Sequence, residues 1–120
     1  MRRLAKAVAA ALVLAGCSPE RSIVGRTSDP TGELDAVRAE VLTDATVATP
    51  LEIYVVAKGA RISGDPIFRA DKVVKLRVVW LNASEVEIQA DEARIFLHQH
   101  TTSVDGRAIT LKTAIKKKHL

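Results

Sequence analysis

Val73-Val74-Lys75-Leu76-Arg77-Val78-Val79-Trp80-Leu81-Asn82-Ala83-Ser84-Glu85-Val86-Glu87-Ile88-Gln89-Ala90 decides the class of fold. Apolar residues recur at every second position, with Val74, Leu76, Val78 and Trp80 on one face, then Val86 and Ile88 on one face with Glu85 and Glu87 on the other. A period of two is the period of a strand, and β-branched side chains suit a pleated, half-buried surface. The stretch therefore predicts two strands joined by a tight connection at Asn82-Ala83-Ser84. The first is expected to be central, with Trp80 the largest piece of its core.

The same reading extends both ways. Downstream, Asp91-Glu92 is read as a turn into a strand over 93–100. Thr101 to Gly106 is a further turn, and Arg107 to Ile115 a last strand before the basic tail 116–120. Upstream, Ile67 to Ala70 reads as a short strand, 58–66 as a loop with two glycines and a proline, and Leu51 to Ala57 as a strong strand. Residues 34–42 fit a helical face through Leu34, Val37 and Val41, and a strand through Val37, Ala39 and Val41. The strand is preferred because its neighbours are strands. Ser28-Asp29-Pro30-Thr31-Gly32 is a dense turn signal. Six or seven short strands with no long amphipathic helix over 34–115 predict an all-β domain, a small antiparallel β-sandwich or open barrel.

The amino terminus has a different character. Arg2, Arg3 and Lys6 precede an uncharged run from Ala7 to Gly16, and then comes Cys17. A charged tip followed by a short apolar run is the layout of a secretory signal, and the run is too short to span a bilayer, which takes roughly 20 residues. Residues 1–16 are thus expected to form a signal helix that is cleaved away, and 17–33 to hold a flexible tether and the first turn. A ten-residue tether would keep the domain on the order of 18 Å from its attachment point.

Leu14-Ala15-Gly16-Cys17 resembles the lipobox of bacterial lipoproteins. The resemblance implies cleavage between Gly16 and Cys17, a diacylglycerol on the Cys17 thiol and usually a further acyl chain, such as palmitate, on the new amino terminus. Several acyl chains anchor a protein far more firmly than one. Ser18 stands where sorting is read and is similar to the outer-membrane pattern, which implies an outer-membrane anchor facing the periplasm if the host has two membranes. Residues 28–97 also look like small bacterial envelope β-domains with no assigned activity. The landmarks are the Ser28–Gly32 turn, Thr49-Pro50 before Ile53-Tyr54-Val55, then Phe68-Arg69-Ala70-Asp71, Trp80 and Ala93-Arg94-Ile95-Phe96. That likeness supports the β fold and implies no reaction.

Charge and cysteine content exclude several functions. The formal charge of +4 falls to +1 when Arg2, Arg3 and Lys6 leave with the signal, and what remains is concentrated in Lys116, Lys117 and Lys118 rather than spread over a face with aromatics. A nucleic-acid partner is not expected. Cys17 is the sole cysteine, so once it is acylated the domain has no thiol for a disulfide, a nucleophile or a metal.

The chemical candidates are few. His98 and His100, two apart on an expected strand, point to one side and could begin a Zn²⁺ or Cu²⁺ site, but a third ligand must come from Asp, Glu or His119. Two solvated histidines near a strand end are the plainer reading. Ser63-Gly64 reads as a turn, with no Gly-x-Ser-x-Gly elbow around any serine. Asp91-Glu92 and Glu85/Glu87 read as turn and solvent-face residues, and Asn82-Ala83-Ser84 as a turn rather than a glycosylation site. Lys116 to Lys118 with His119 either contact anionic headgroups or stay solvated. The expectation is a lipid-anchored envelope protein, not an enzyme and with no cofactor, that binds or helps assemble an envelope partner through a sheet face or edge. The alternatives are an inhibitor or exclusion factor acting through loop 58–66 against an envelope-directed hydrolase or phage, and a weak metal-binding domain at His98 and His100.

Overall fold

The computed structural model describes residues 20–42 and 49–119. The expected signal segment 1–16 with Gly16, the expected lipidation residue Cys17 and residues 43–48 lie outside them. The described residues form eight strands and no helix: β1 Arg21–Ser28, β2 Leu34–Val41, β3 Leu51–Ala57, β4 Phe68–Val74, β5 Arg77–Asn82, β6 Glu85–His98, β7 Thr101–Val104 and β8 Arg107–His119. They make one open sheet in the order β1-β2-β3-β4-β6-β8-β7, with β5 paired to β6. The all-β expectation holds, as does the strand reading of 34–42.

Beyond the described chain's last hairpin lies the main departure from an antiparallel meander: β6 and β8 run parallel, Glu85 beside Thr110 through Arg94 beside His119. What permits this is a bend in β6. Leu111 is the ladder partner of Val86, yet its carbonyl accepts a hydrogen bond from His98 Nε2 at 3.1 Å. His98 lies twelve positions along the same strand, and a straight strand would carry it about 40 Å away. β6 therefore turns back on itself, and burial records where. Val86, Ile88 and Ala90 are buried, then Ala93, so the buried set passes from even to odd positions across Asp91 and Glu92. The turn expected there is a bend inside one continuous strand of 14 residues.

The bend folds the sheet into two layers. Leu34, Ala36, Ile53, Phe68, Ala70 and Ala93 on one side meet Val86, Ile88, Ile109 and Leu111 on the other in the main apolar cluster. Trp80 packs against this cluster half-buried, and its indole Nε1–H donates to Thr27 O at 2.8 Å, tying β5 to β1. Satisfying the indole donor on a backbone carbonyl lets so large a side chain sit at the core's margin.

Three other expectations are corrected. The tether reading of 17–33 fails from Arg21 onward, because 21–28 is strand β1, paired along β2 from Arg21 beside Val41 to Ser28 beside Asp35. Its side chains are mostly exposed, so no apolar alternation betrays it; main-chain pairing and arginine ion pairs hold it instead. The expected central strand over 73–81 is split, because Lys72 and Lys75 both take a left-handed φ of 53°. The split turns Val73 inward and leaves Val74 exposed, and β5 has a single ladder partner, β6. Finally, Lys116, Lys117 and Lys118 belong to β8 rather than to a tail. Acidic residues on β6 explain the continuation: Lys116 meets Asp91 at 3.6 Å, and His119 Nε2 lies 2.5 Å from Glu92 Oε2.

Candidate functional site

Both faces of β2 and β3 are covered. Leu34, Ala36 and Ile53 face the main cluster, while Val37, Ala39, Tyr54 and Val56 form a second cluster under Ala60 and Ile62 of the loop 58–66. The loop lies down on the sheet. Gly59 N–H donates to Asp35 Oδ2 at 2.9 Å and Arg26 Nη2 to Ala60 O at 2.6 Å. Gly59 and Gly64 take φ of 75° and 71°, a region glycine enters without a Cβ penalty.

At the edge of this second cluster sits Glu52, whose side chain is fully buried. Arg21 Nε and Tyr54 OH donate to Oε1, each at 2.7 Å, and Arg69 donates through Nε and Nη2 to Oε2 at 2.9 and 2.6 Å. Burial pushes the Glu52 carboxyl up, and the donors from Arg21, Tyr54 and Arg69 outweigh it, so the group is held below the usual carboxylate range. Burial and the Glu52 carboxylate push the Tyr54 phenol up. A cleft of about 290 Å³ opens beside the cluster, lined by Arg21, Tyr54, Arg69 and loop residues including Ser63 and Asp65. A carboxylate that already accepts four hydrogen bonds and is held ionised is a poor proton acceptor. The chemistry this arrangement suits is cross-linking of β1, β3 and β4.

The same device recurs three times. Asp29, buried in the first turn, accepts from Glu33 N, Leu34 N and Thr31 Oγ1, and from Arg107 Nη1 at 2.7 Å. Burial opposes ionisation there, but those four donors lower its pKa strongly. Arg107 also reaches Ala83 O and the Glu33 carboxylate, so the start of β8 is tied to the first turn. Asp35 accepts from Ser28 Oγ, Arg26 Nη1 and Gly59 N, and its pKa is lowered against the effect of burial. Asp71 takes a two-point contact from Arg94, which lowers it, at 2.8 and 2.6 Å. The Arg94 guanidinium then lies 5.0 Å from the centre of the exposed Phe96 ring.

The candidates from sequence fall elsewhere. His98 and His100 do come together, with ring centroids 4.4 Å apart, but His98 Nε2 is engaged on Leu111 O. Among the described residues no group of three His, Cys, Asp or Glu side chains converges on them. Glu85 pairs with Lys112 at 3.0 Å and accepts from Asn82 Nδ2, while Glu87 accepts from Gln89 Nε2. Asn82 Oδ1 accepts from Ser84 N, which makes Asn82-Ala83-Ser84 the expected turn. Ser63 and Gly64 lie between the 290 Å³ cleft and a second cleft of about 420 Å³ that reaches Thr102 to Asp105. Sequence reasoning missed Glu52, Arg21 and Arg69. A Glu two positions from a Tyr on one face of an otherwise apolar strand was the available signal; the arginines lie 31 and 17 positions away.

The edge of β8 is open beyond Thr110. Thr110 N–H donates to Ser84 O on the β6 side and Leu111 N–H to His100 O on the other side. Alternate residues of an extended strand point their amides to opposite edges, so Thr113, Ile115 and Lys117 aim theirs away from β6. β7 covers β8 only from Arg107 to Thr110, and no strand among the described residues lies beyond that point. No family model, no curated protein and no solved structure matches this chain.

Proposed function

We propose that this chain is a lipid-anchored bacterial envelope protein, held through Cys17, that binds another envelope protein without catalysing a reaction. The observation that carries the binding reading is the open edge of β8. The backbone N–H and C=O groups of Thr113, Ile115 and Lys117 form a template that an extended segment of a partner completes by adding a strand. The buried carboxylates support a structural rather than a chemical use of the polar residues, since Asp29, Asp35, Glu52 and Asp71 are each bound by an arginine. The anchor rests on the lipobox resemblance of Leu14-Ala15-Gly16-Cys17.

The test places a photo-crosslinking residue at Thr113, Ile115 or Lys117 of the full chain in cells, with matched sites at Lys58 and Arg61 in the loop. A single envelope protein crosslinked from the β8 sites, and lost when Cys17→Ala abolishes lipid labelling, is the expected outcome. Equal crosslinking from loop and edge, or none from the edge, overturns the edge as the binding surface. Retention of lipid label in Cys17→Ala overturns the anchor.

A further inference from the structure

A cleft of about 450 Å³ opens where β1, β2, β3 and the junction of β4 with β5 meet, and two departures from regular strand geometry converge on it. In β1 the ladder steps from Ile23 to Gly25, so Val24 is an extra residue without a partner on β2, and it lines the cleft. In β4 three steps from Asp71 to Val74 match two on β6, from Arg94 to Glu92, and the surplus residue falls where Lys72 has a left-handed φ. Lys72 and Val73 both line the cleft. Gly25, beside the first of these bulges, permits a close approach. The guanidinium of Arg38 lies across it, with Nη2 only 2.8 Å from where a Cβ would stand. Bulges re-aim side chains, and left-handed non-glycine residues concentrate at sites that hold ligands.

Burial distinguishes Arg38 from the other described arginines without an ion pair, Arg61 and Arg77, which are exposed. Arg21, Arg26, Arg69, Arg94 and Arg107 each bind a carboxylate. Arg38 is half-buried, forms no ion pair among the described residues, and its hydrogen bond to Leu76 O is long at 3.5 Å. Lys72 forms no ion pair among them either, and Glu40 at the rim is exposed and pairs with neither cation. Beside the two cations and Glu40, the lining is Thr49 with the apolar Val24, Leu51, Val73 and Leu76. A planar guanidinium partly withdrawn from water binds carboxylate or phosphate with two parallel hydrogen bonds.

We propose that the cleft binds a single-chain amphiphile with an anionic head. Arg38 and Lys72 take the carboxylate or phosphate, and Val24, Leu51, Val73 and Leu76 take the start of the chain. The site is separate from the β8 edge and stands whether or not that edge binds a protein.

The test uses residues 18–120, which contain every described strand and both apolar clusters. Octanoate is titrated and followed by backbone amide shifts. Saturation below millimolar concentration, with shifts centred on 24–25, 38, 51 and 72–76, is expected. Arg38→Gln weakens binding about tenfold or more, the scale of a lost charge-assisted hydrogen bond. Lys72→Asn, chosen because Asn tolerates the left-handed backbone, weakens it about threefold, as a more exposed charge would. Lys75→Asn removes an equal charge from an equal backbone conformation outside the cleft and leaves binding unchanged. Octyl phosphate run in parallel decides the source of the head: the tighter binder of the two marks a phosphate or a fatty-acid ligand. No saturation by about 10 mM with either octanoate or octyl phosphate overturns the proposal. So does octanol binding as tightly as octanoate, or Lys75→Asn weakening binding as much as Lys72→Asn.

Discussion

The β1–β4 end and the β6–β8 end of this sheet use the same pairing of basic with acidic side chains to opposite purposes. At the first end the carboxylates are buried, both faces of β2 and β3 are covered, and each carboxylate joins elements that are distant in sequence, as Glu52 joins Arg21 to Arg69. At the second end Lys112 with Glu85 and Lys116 with Asp91 sit on an outer face beside an open edge. Solvent screens exposed pairs to a median of about 0–1 kcal/mol, whereas removing one partner of a buried pair costs about 3–5 kcal/mol. Burial, rather than the number of ion pairs, therefore separates the cross-links of the first end from the surface pairs of the second.

The comparison breaks most directly at Glu52. Glu52→Ala leaves two guanidinium groups and a phenol without their acceptor, and it is expected to lower the unfolding free energy by about 3 kcal/mol. Glu85→Ala, measured by the same urea titration, should cost less than about 1 kcal/mol. Equal losses would abolish the distinction. The next effect is on acid stability. Asp29, Asp35, Glu52 and Asp71 all have folded pKa values below their ordinary ones. As pH falls below about 5, the unfolded chain therefore takes up protons before the folded one does. The stability these groups contribute is present above their unfolded pKa, near 4, and is lost progressively as pH drops toward their folded values. Glu52→Gln should flatten that fall between about pH 5 and 3, and an unchanged slope would remove Glu52 from the acid response. Smaller again is Trp80→Phe. It keeps most of the packing but loses the bond to Thr27 O that ties the two ends together, at an expected cost of about 1 kcal/mol.

What was legible in the sequence follows the same division. Alternation exposed the first half of β6, whose faces are apolar on one side and polar on the other, while β3 and β5 were exposed by their density of β-branched and aromatic residues. It could not expose β1, whose Ile23 and Val24 are exposed and whose pairing is main-chain, nor the end of β8, where three lysines in a row look like a solvated tail. The bend in β6 left a true signal in Asp91-Glu92, but a pair of acids between apolar runs reads equally as a turn. The Glu52 cluster was hidden for another reason: its members are local in space and remote in sequence, and no single-chain pattern joins Arg21 to Glu52. Of the chemical candidates, His98 and His100 were correctly placed together, and the hydrogen bond of His98 to Leu111 O depends on a strand that folds back.

The smallest effect on stability sharpens the comparison most at the open edge. Lys117 and Lys118 are exposed on a strand with unpaired backbone groups, and lysine on an edge strand discourages pairing with another copy. In an antiparallel self-pairing centred on Ile115, Lys112 would face Lys118, a like-charge contact across strands. Replacing Lys117 and Lys118 together by Val raises strand propensity and removes that repulsion. The unfolding free energy should change by no more than about 0.5 kcal/mol, as for surface substitutions generally. Sedimentation velocity over a concentration series should show self-association that the parent chain lacks. Lys58→Val with Arg61→Val in loop 58–66 makes the same change of charge on exposed residues that belong to no strand, and that variant should stay monomeric. Association by the loop variant would mean that lost charge alone drives it. Association by the β8 variant alone would locate the pairing-competent backbone at the edge, the same groups a natural partner strand would use.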